Sequence, residues 1–167
     1  MRSKEHNTTL RPTTEPSIMN DNSRKYIFLA DDDEDDCMLF EDALREVNAS
    51  TELATANDGV ELMNLLGKTV PPPPDVIFLD LNMPKKNGFE CLAEIRNSQQ
   101  YKNIPVVIFS TTGEEEAINK LYEQGANYFV RKPGSFPRLK TAIQRILAID
   151  WGKGGVNTFK ENFYFQY

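Results

Sequence analysis

Residues 26–36 read Tyr-Ile-Phe-Leu-Ala-Asp-Asp-Asp-Glu-Asp-Asp, an apolar run directly ahead of six consecutive acids. A second apolar run, Val76-Ile77-Phe78-Leu79, also ends on a carboxylate, that of Asp80. Two strand-like runs that each stop at Asp are what an open parallel sheet needs to gather carboxylates at its carboxyl edge, where such sheets place their ligands. Oxygen anions concentrated there suit a hard cation.

Working outward from the first run, Cys37, Phe40, Leu44 and Val47 recur at intervals of three and four, the period of a helix with one buried face. Glu52 to Ala56 is a weaker strand. Asn57-Asp58-Gly59 caps a second helix, with Val60, Met63 and Leu66 facing inward and Gly67 ending it. The prolines 71–74 make a stiff extended connector into the strand Val76–Leu79. A third helix carries Phe89, Leu92 and Ile95, and Pro105 precedes the strand Val106–Phe109. Ala117, Ile118 and Leu121 mark a fourth helix ended by Gly125. Asn127–Val130 is a fifth short strand, and Leu139, Ile143, Ile146 and Leu147 line a last helix that begins near Phe136. Strands alternating with helical patterns make repeated βα units of one preferred hand, so the fold class is α/β, a doubly wound parallel sheet with helices on both faces. The central runs are apolar at consecutive positions, as strands covered on both sides should be.

Composition narrows the function. At 167 residues the chain supports one well-buried core. The acidic run accounts for the whole formal charge of −6, leaving a balanced surface without the clustered Lys and Arg that direct nucleic-acid binding requires. No stretch is long and apolar enough for a membrane span and the first residues lack a signal-peptide core, so a cytoplasmic location is expected. Cys37 and Cys91 have no C-x-x-C companion, and the single histidine, His6, lies far from both. They read as buried thiols on inner helix faces, and zinc is unsupported. The domain boundaries expected are a flexible arm over 1–24, a core domain over 25–149 and an aromatic-rich extension over 150–167. That extension holds Trp151, Phe159, Phe163, Tyr164, Phe165 and Tyr167, and such density suggests contact with the body or with a second chain.

Four separated segments, FLADDDED (28–35), VIFLDLNMPKKNG (76–88), VVIFSTTG (106–113) and YFVRKP (128–133), occur in an order that resembles the response-regulator receiver domains of two-component signalling. The similarity covers about residues 25–149 and is to the stand-alone kind, including those associated with phytochromes. It implies a five-stranded sheet in flavodoxin-like order 2-1-3-4-5. It implies Asp80 as the phosphoacceptor, taking a phosphoryl group from a sensor histidine kinase as a carboxylate nucleophile. It implies Mg²⁺, with Mn²⁺ as an alternative, held by Asp31, Asp32, Asp80 and the backbone carbonyl of Asn82, Asp31 acting largely through water. Ser110 and Lys132 would reach the phosphoryl oxygens, and Ser110 and Phe129 would be the switch pair. Phe129 stands where many relatives have Tyr, so packing alone would hold its switched form.

Further expectations concern the surrounding residues. Asn82 and Thr112 flank the water that hydrolyses the acyl phosphate in the family, and neither supplies a charged general base. Asp33 to Asp36 read as a solvated acidic cap on the first helix. Gly88 is expected to permit a tight turn. Output would pass through the fourth helix, fifth strand and fifth helix, by docking or homodimerisation there or through the extension. Competing readings are a non-phosphorylated scaffold and an Asp-nucleophile phosphatase, which would place its nucleophile after the first strand and add a cap domain.

Overall fold

The computed structural model describes residues 24–68, 73–152 and 158–167. The expected N-terminal arm, apart from Arg24, and the first half of the proline connector lie outside these residues. Five strands, β1 (Tyr26–Ala30), β2 (Glu52–Ala56), β3 (Val76–Leu79), β4 (Val106–Ser110) and β5 (Tyr128–Arg131), form one sheet in the order β2-β1-β3-β4-β5, with every pairing parallel. This is the order expected. The chain reverses direction of travel across the sheet between β1 and β3, which opens a crevice beyond their carboxyl ends.

Among the described residues six helices accompany the strands: α1 (Glu34–Val47), α2 (Gly59–Lys68), α3 (Gly88–Asn97), α4 (Glu115–Glu123), α5 (Phe136–Leu147) and the short α6 (Lys160–Phe163). Alternation along the strands sends side chains to opposite faces. Phe28, Ala30, Ile77, Leu79, Val106, Ile108 and Phe129 pack with α2, α3 and α4, whereas Ile27, Leu29, Val76, Phe78, Val107 and Phe109 pack with α1 and α5. On the second face Phe40 from α1 meets Phe78 and Phe109 edge-on, with ring centroids 4.9 and 5.8 Å away.

Local sequence starts the helices. Asp33 caps α1 by accepting from the Asp35 and Asp36 amides, Asn87 and Glu90 form a capping box on α3, and Ser135 caps α5. Arg96 then stitches α3 to the opposite end of the sheet, donating to the carbonyls of Gly125 and Ile104 and to the Asn127 amide oxygen.

Several element expectations need correction. In α2 the buried stripe is Gly59, Leu62 and Leu66, while Val60 is 40% exposed: the residues three and seven after Gly59 share its inward face, and Val60 is rotated away from it. Gly67 does not end that helix, which continues to Lys68. β5 runs Tyr128–Arg131 rather than 127–130; Asn127 lies just ahead of it, its side-chain oxygen accepting from the Val106 amide and from Arg96. Cys91 is buried as expected, but Cys37 is only half-buried; burial pushes both thiols up to about 11.

The C-terminal extension folds back on the body. Tyr164 bridges Phe129 in parallel, the Phe165 amide donates to the Phe129 carbonyl over 2.8 Å, and the Tyr167 hydroxyl donates to the Arg131 carbonyl. Phe163 is buried against Tyr122, and Trp151 and Phe165 both pack on Tyr128. β5 is the edge of the sheet, and this segment takes up part of its free hydrogen-bonding side. Among the described residues no helix is long and apolar enough to cross a membrane.

Candidate functional site

The ladders that build the sheet also deliver its acids to one place. The hydrogen bonding of β1 continues one residue past the strand, the Asp31 amide donating to the Ala56 carbonyl over 3.0 Å. That of β3 does likewise, the Asp80 amide donating to the Ala30 carbonyl over 2.9 Å. With Ala30 in register with Leu79, Asp31 and Asp80 leave the sheet side by side. Carboxylate oxygens of Asp31, Asp32 and Asp80 all lie within 4.8 Å of one another. The Asp80 Oδ1 accepts from the Leu81 amide at 2.8 Å, which fixes the carboxylate.

Among the described residues one cation answers these charges. Lys132, just past β5, is positioned by its own amide donating to the Ser110 carbonyl, and its ammonium lies over the Phe109 ring, 5.8 Å from the centroid. Its ammonium lies 2.7 Å from Asp31 Oδ2, 2.9 Å from Asp36 Oδ2 and 3.4 Å from Asp80 Oδ2, with only 10% of the side chain exposed. It donates hydrogen bonds to Asp36 and Asp80. The contact with Asp31 Oδ2 is shorter but lacks hydrogen-bond direction, so this buried oxygen has Coulomb attraction without a donor. Burial therefore dominates Asp31 and pushes its carboxyl up to about 6, against the pull of Lys132, with the Asp80 charge adding to the rise. Burial works to lower the Lys132 ammonium, but the Asp31, Asp36 and Asp80 carboxylates outweigh it and hold it well above the ordinary lysine range. A buried carboxylate oxygen without a donor, beside two more carboxylates, is the oxygen-rich ligand set that a hard divalent cation fits.

The remaining expected residues surround this centre. Asn82 is exposed in the loop that follows Asp80. Ser110 is fully buried at the end of β4, where its hydroxyl accepts from the Thr112 amide at 3.3 Å, and Thr112 is half-buried beside it. Phe129 is fully buried, and Tyr164 of the returning extension lies over it with centroids 5.5 Å apart.

Two residues take roles other than those expected. Asp36 is no mere solvated cap: α1 begins so close to the end of β1 that the third residue of its first turn reaches Lys132. Spacing could not reveal this, because an acid in a first helical turn has a sufficient local explanation in the helix dipole. Gly88 adopts no left-handed backbone; the residue that does is Lys85, with φ 65°. What Gly88 supplies is room, since a Cβ there would overlap the Asp80 carbonyl oxygen and lie 2.9 Å from Leu81 Cα.

Comparison with known proteins agrees with this geometry. Residues 27–144 match the response regulator receiver domain family. The chain is similar to the response regulator Rcp1 of Synechocystis, 34% identical over 129 residues that make up 75% of this chain and 88% of Rcp1. Among solved structures, the phosphorylated cyanobacterial phytochrome response regulator RcpA is 36% identical, with a TM-score of 0.68, covering 74% of this chain and 91% of RcpA. The Mn²⁺-bound form of Rcp1 is 32% identical, with a TM-score of 0.67, covering 79% and 97%. The order of the strands, the acids at their carboxyl edge and these matches give one answer: the chain belongs to the response regulator receiver domains, the phosphoacceptors of two-component signalling.

Proposed function

We propose that Asp80 is the residue that accepts the phosphoryl group, and that the donor is a phosphohistidine on a sensor histidine kinase. The observation that carries the reading is the placement of a nearly buried, oriented carboxylate beside two further acids and a single ammonium. An Asp80 oxygen would attack the phosphorus, forming an O–P bond as the N–P bond to the histidine breaks, and the imidazole leaves with the bonding pair. Both reactants are anionic, so the site must offset their repulsion. A divalent cation, which we take to be Mg²⁺, would supply that charge when bound by Asp31, Asp32, Asp80 and the Asn82 carbonyl. Lys132 would hold the phosphoryl oxygens as a point charge, and the Ser110 hydroxyl would turn from its present place at the Thr112 amide to donate to them.

Signalling would follow from that turn. In the β4–β5 ladder Ser110 is in register with Arg131 and Phe129 with Ile108, so withdrawal of the Ser110 side chain would change the packing two residues along from Phe129, which carries the contact with Tyr164. The surface of α4, β5 and α5 with the folded-back extension would be the output face, for a target or for a second copy. A phytochrome is the kinase suggested by the similarity to RcpA, in which that partner class appears by name. Residues 25–149 would form the receiver and 150–167 its appended cover, in a chain that works as a phosphorylated signal carrier rather than as a turnover enzyme. Incubation with acetyl phosphate and Mg²⁺ should add one phosphoryl group, and Asp80→Asn should abolish it. A wild-type chain that no phosphodonor labels would support the scaffold reading instead.

A further inference from the structure

We infer that Asp36 is a positioning residue that clears the cation site by giving the Lys132 ammonium somewhere else to go. The inference rests on the divalent-cation reading of Asp31, Asp32 and Asp80 proposed above. In the structure the ammonium lies against Asp31 and Asp80, two of the carboxylates that a cation would need. A divalent ion and an ammonium cannot share those oxygens without repulsion at close range, so binding must move Lys132. Asp36 meets the same ammonium at 2.9 Å, from α1 rather than from a strand end, and is outside the candidate ligand set. Its side chain is 35% exposed against 1% for Asp31, so it can hold a charge pair that water partly solvates. The ammonium also lies over the Phe109 ring, 5.8 Å from its centroid, and the four-carbon stem that carries it lets it swing between the carboxylates. Asp36 thus provides an anionic resting place that does not compete with the cation, and it keeps Lys132 at the rim of the pocket, ready for the phosphoryl oxygens.

This differs from a plain field effect, in which any acid near the site attracts cations, and a double-mutant cycle separates the two. Mn²⁺ affinity is measured by electron paramagnetic resonance, without any phosphodonor, in the wild type, Asp36→Asn, Lys132→Met and the double variant. Removing Asp36 should weaken Mn²⁺ binding about fivefold when Lys132 is present and less than about twofold when it is Met, because no competing ammonium then remains. Asp36→Glu, which keeps the charge on a longer arm, should recover most of the affinity. In acetyl phosphate labelling, Asp36→Asn should raise the Mg²⁺ concentration giving half-maximal rate. Equal weakening in both Lys132 backgrounds, no weakening, a Glu variant as poor as Asn, or a lower maximal rate at unchanged Mg²⁺ demand would overturn the inference. A wild type that binds Mn²⁺ but cannot be labelled would overturn the phosphoacceptor role of Asp80 and leave the Mn²⁺ cycle readable.

Discussion

Lys132→Met removes the one ammonium among Asp31, Asp36 and Asp80, and its cost can be worked from the distances. At an effective dielectric constant of about 20, each contact of 2.7 to 3.4 Å represents roughly 5–6 kcal/mol of attraction, most of it offset by the desolvation of the ions. Breaking a buried pair by removing one partner costs about 3–5 kcal/mol; because Asp36 is partly solvated, about 3 kcal/mol is expected near pH 7 without metal. Two conditions should shrink that cost. Near pH 5 Asp31, already pushed up to about 6 by burial, takes a proton and ceases to be an unpaired buried charge. Saturating Mg²⁺ should restore stability by replacing the lost positive charge. Urea unfolding of wild type and variant at both pH values, with chelator and with Mg²⁺, reads all four numbers. A loss that stays the same in every condition would refute the electrostatic account and indicate that burial of the lysine stem, rather than its charge, is what matters.

Gly88→Ala should destabilise the protein by about 1–3 kcal/mol, because the new Cβ must push the Asp80 carbonyl or the start of α3; urea unfolding gives the loss, and weaker Mn²⁺ binding should accompany it. The metal-free protein should lose stability as pH rises from about 4 to about 6: Asp31 holds its proton more tightly in the folded state, so the penalty is absent below the unfolded pKa and complete above the folded one, on the order of 3 kcal/mol in denaturation across that range. Deleting residues 158–167 should lower stability by roughly 2–4 kcal/mol, through loss of the buried Phe163 and its neighbours, and should speed hydrogen exchange along β5. In the native protein a maleimide should leave Cys91 unmodified over a time in which urea-unfolded chain reacts fully, because burial holds its thiol at about 11.

The central strands were legible because β1, β3 and β4 are apolar at consecutive positions and give way to Asp31, Asp80 and Ser110 at their carboxyl ends. Asp31 and Asp80 could be paired from sequence for the same reason: a parallel sheet with both runs at its centre puts their ends at one edge. Details that depend on angle rather than on period were harder to read. Val60 lies one residue from the buried stripe of α2, and apolarity alone could not tell which of Val60 and Leu62 faces the core. Gly88 could be recognised as special but not as a spacer, since closeness of α3 to the Asp80 carbonyl is a tertiary fact. Asp36 was hidden by its own neighbours, since Asp33, Glu34 and Asp35 are acids with ordinary capping or solvent-facing roles. The aromatic extension showed density without period, and density alone cannot choose between the chain's own β5 and another copy.

The central claim is that Asp80, and no other carboxylate of the acidic edge, carries the phosphoryl group. Borohydride reduction of the phosphorylated protein converts an aspartyl phosphate to homoserine, and mass spectrometry of the resulting peptides locates it. Homoserine at position 80 alone, and none after treatment without Mg²⁺, is the predicted result. Homoserine at 31, 32 or 36, or undiminished labelling in Asp80→Asn, would contradict the account.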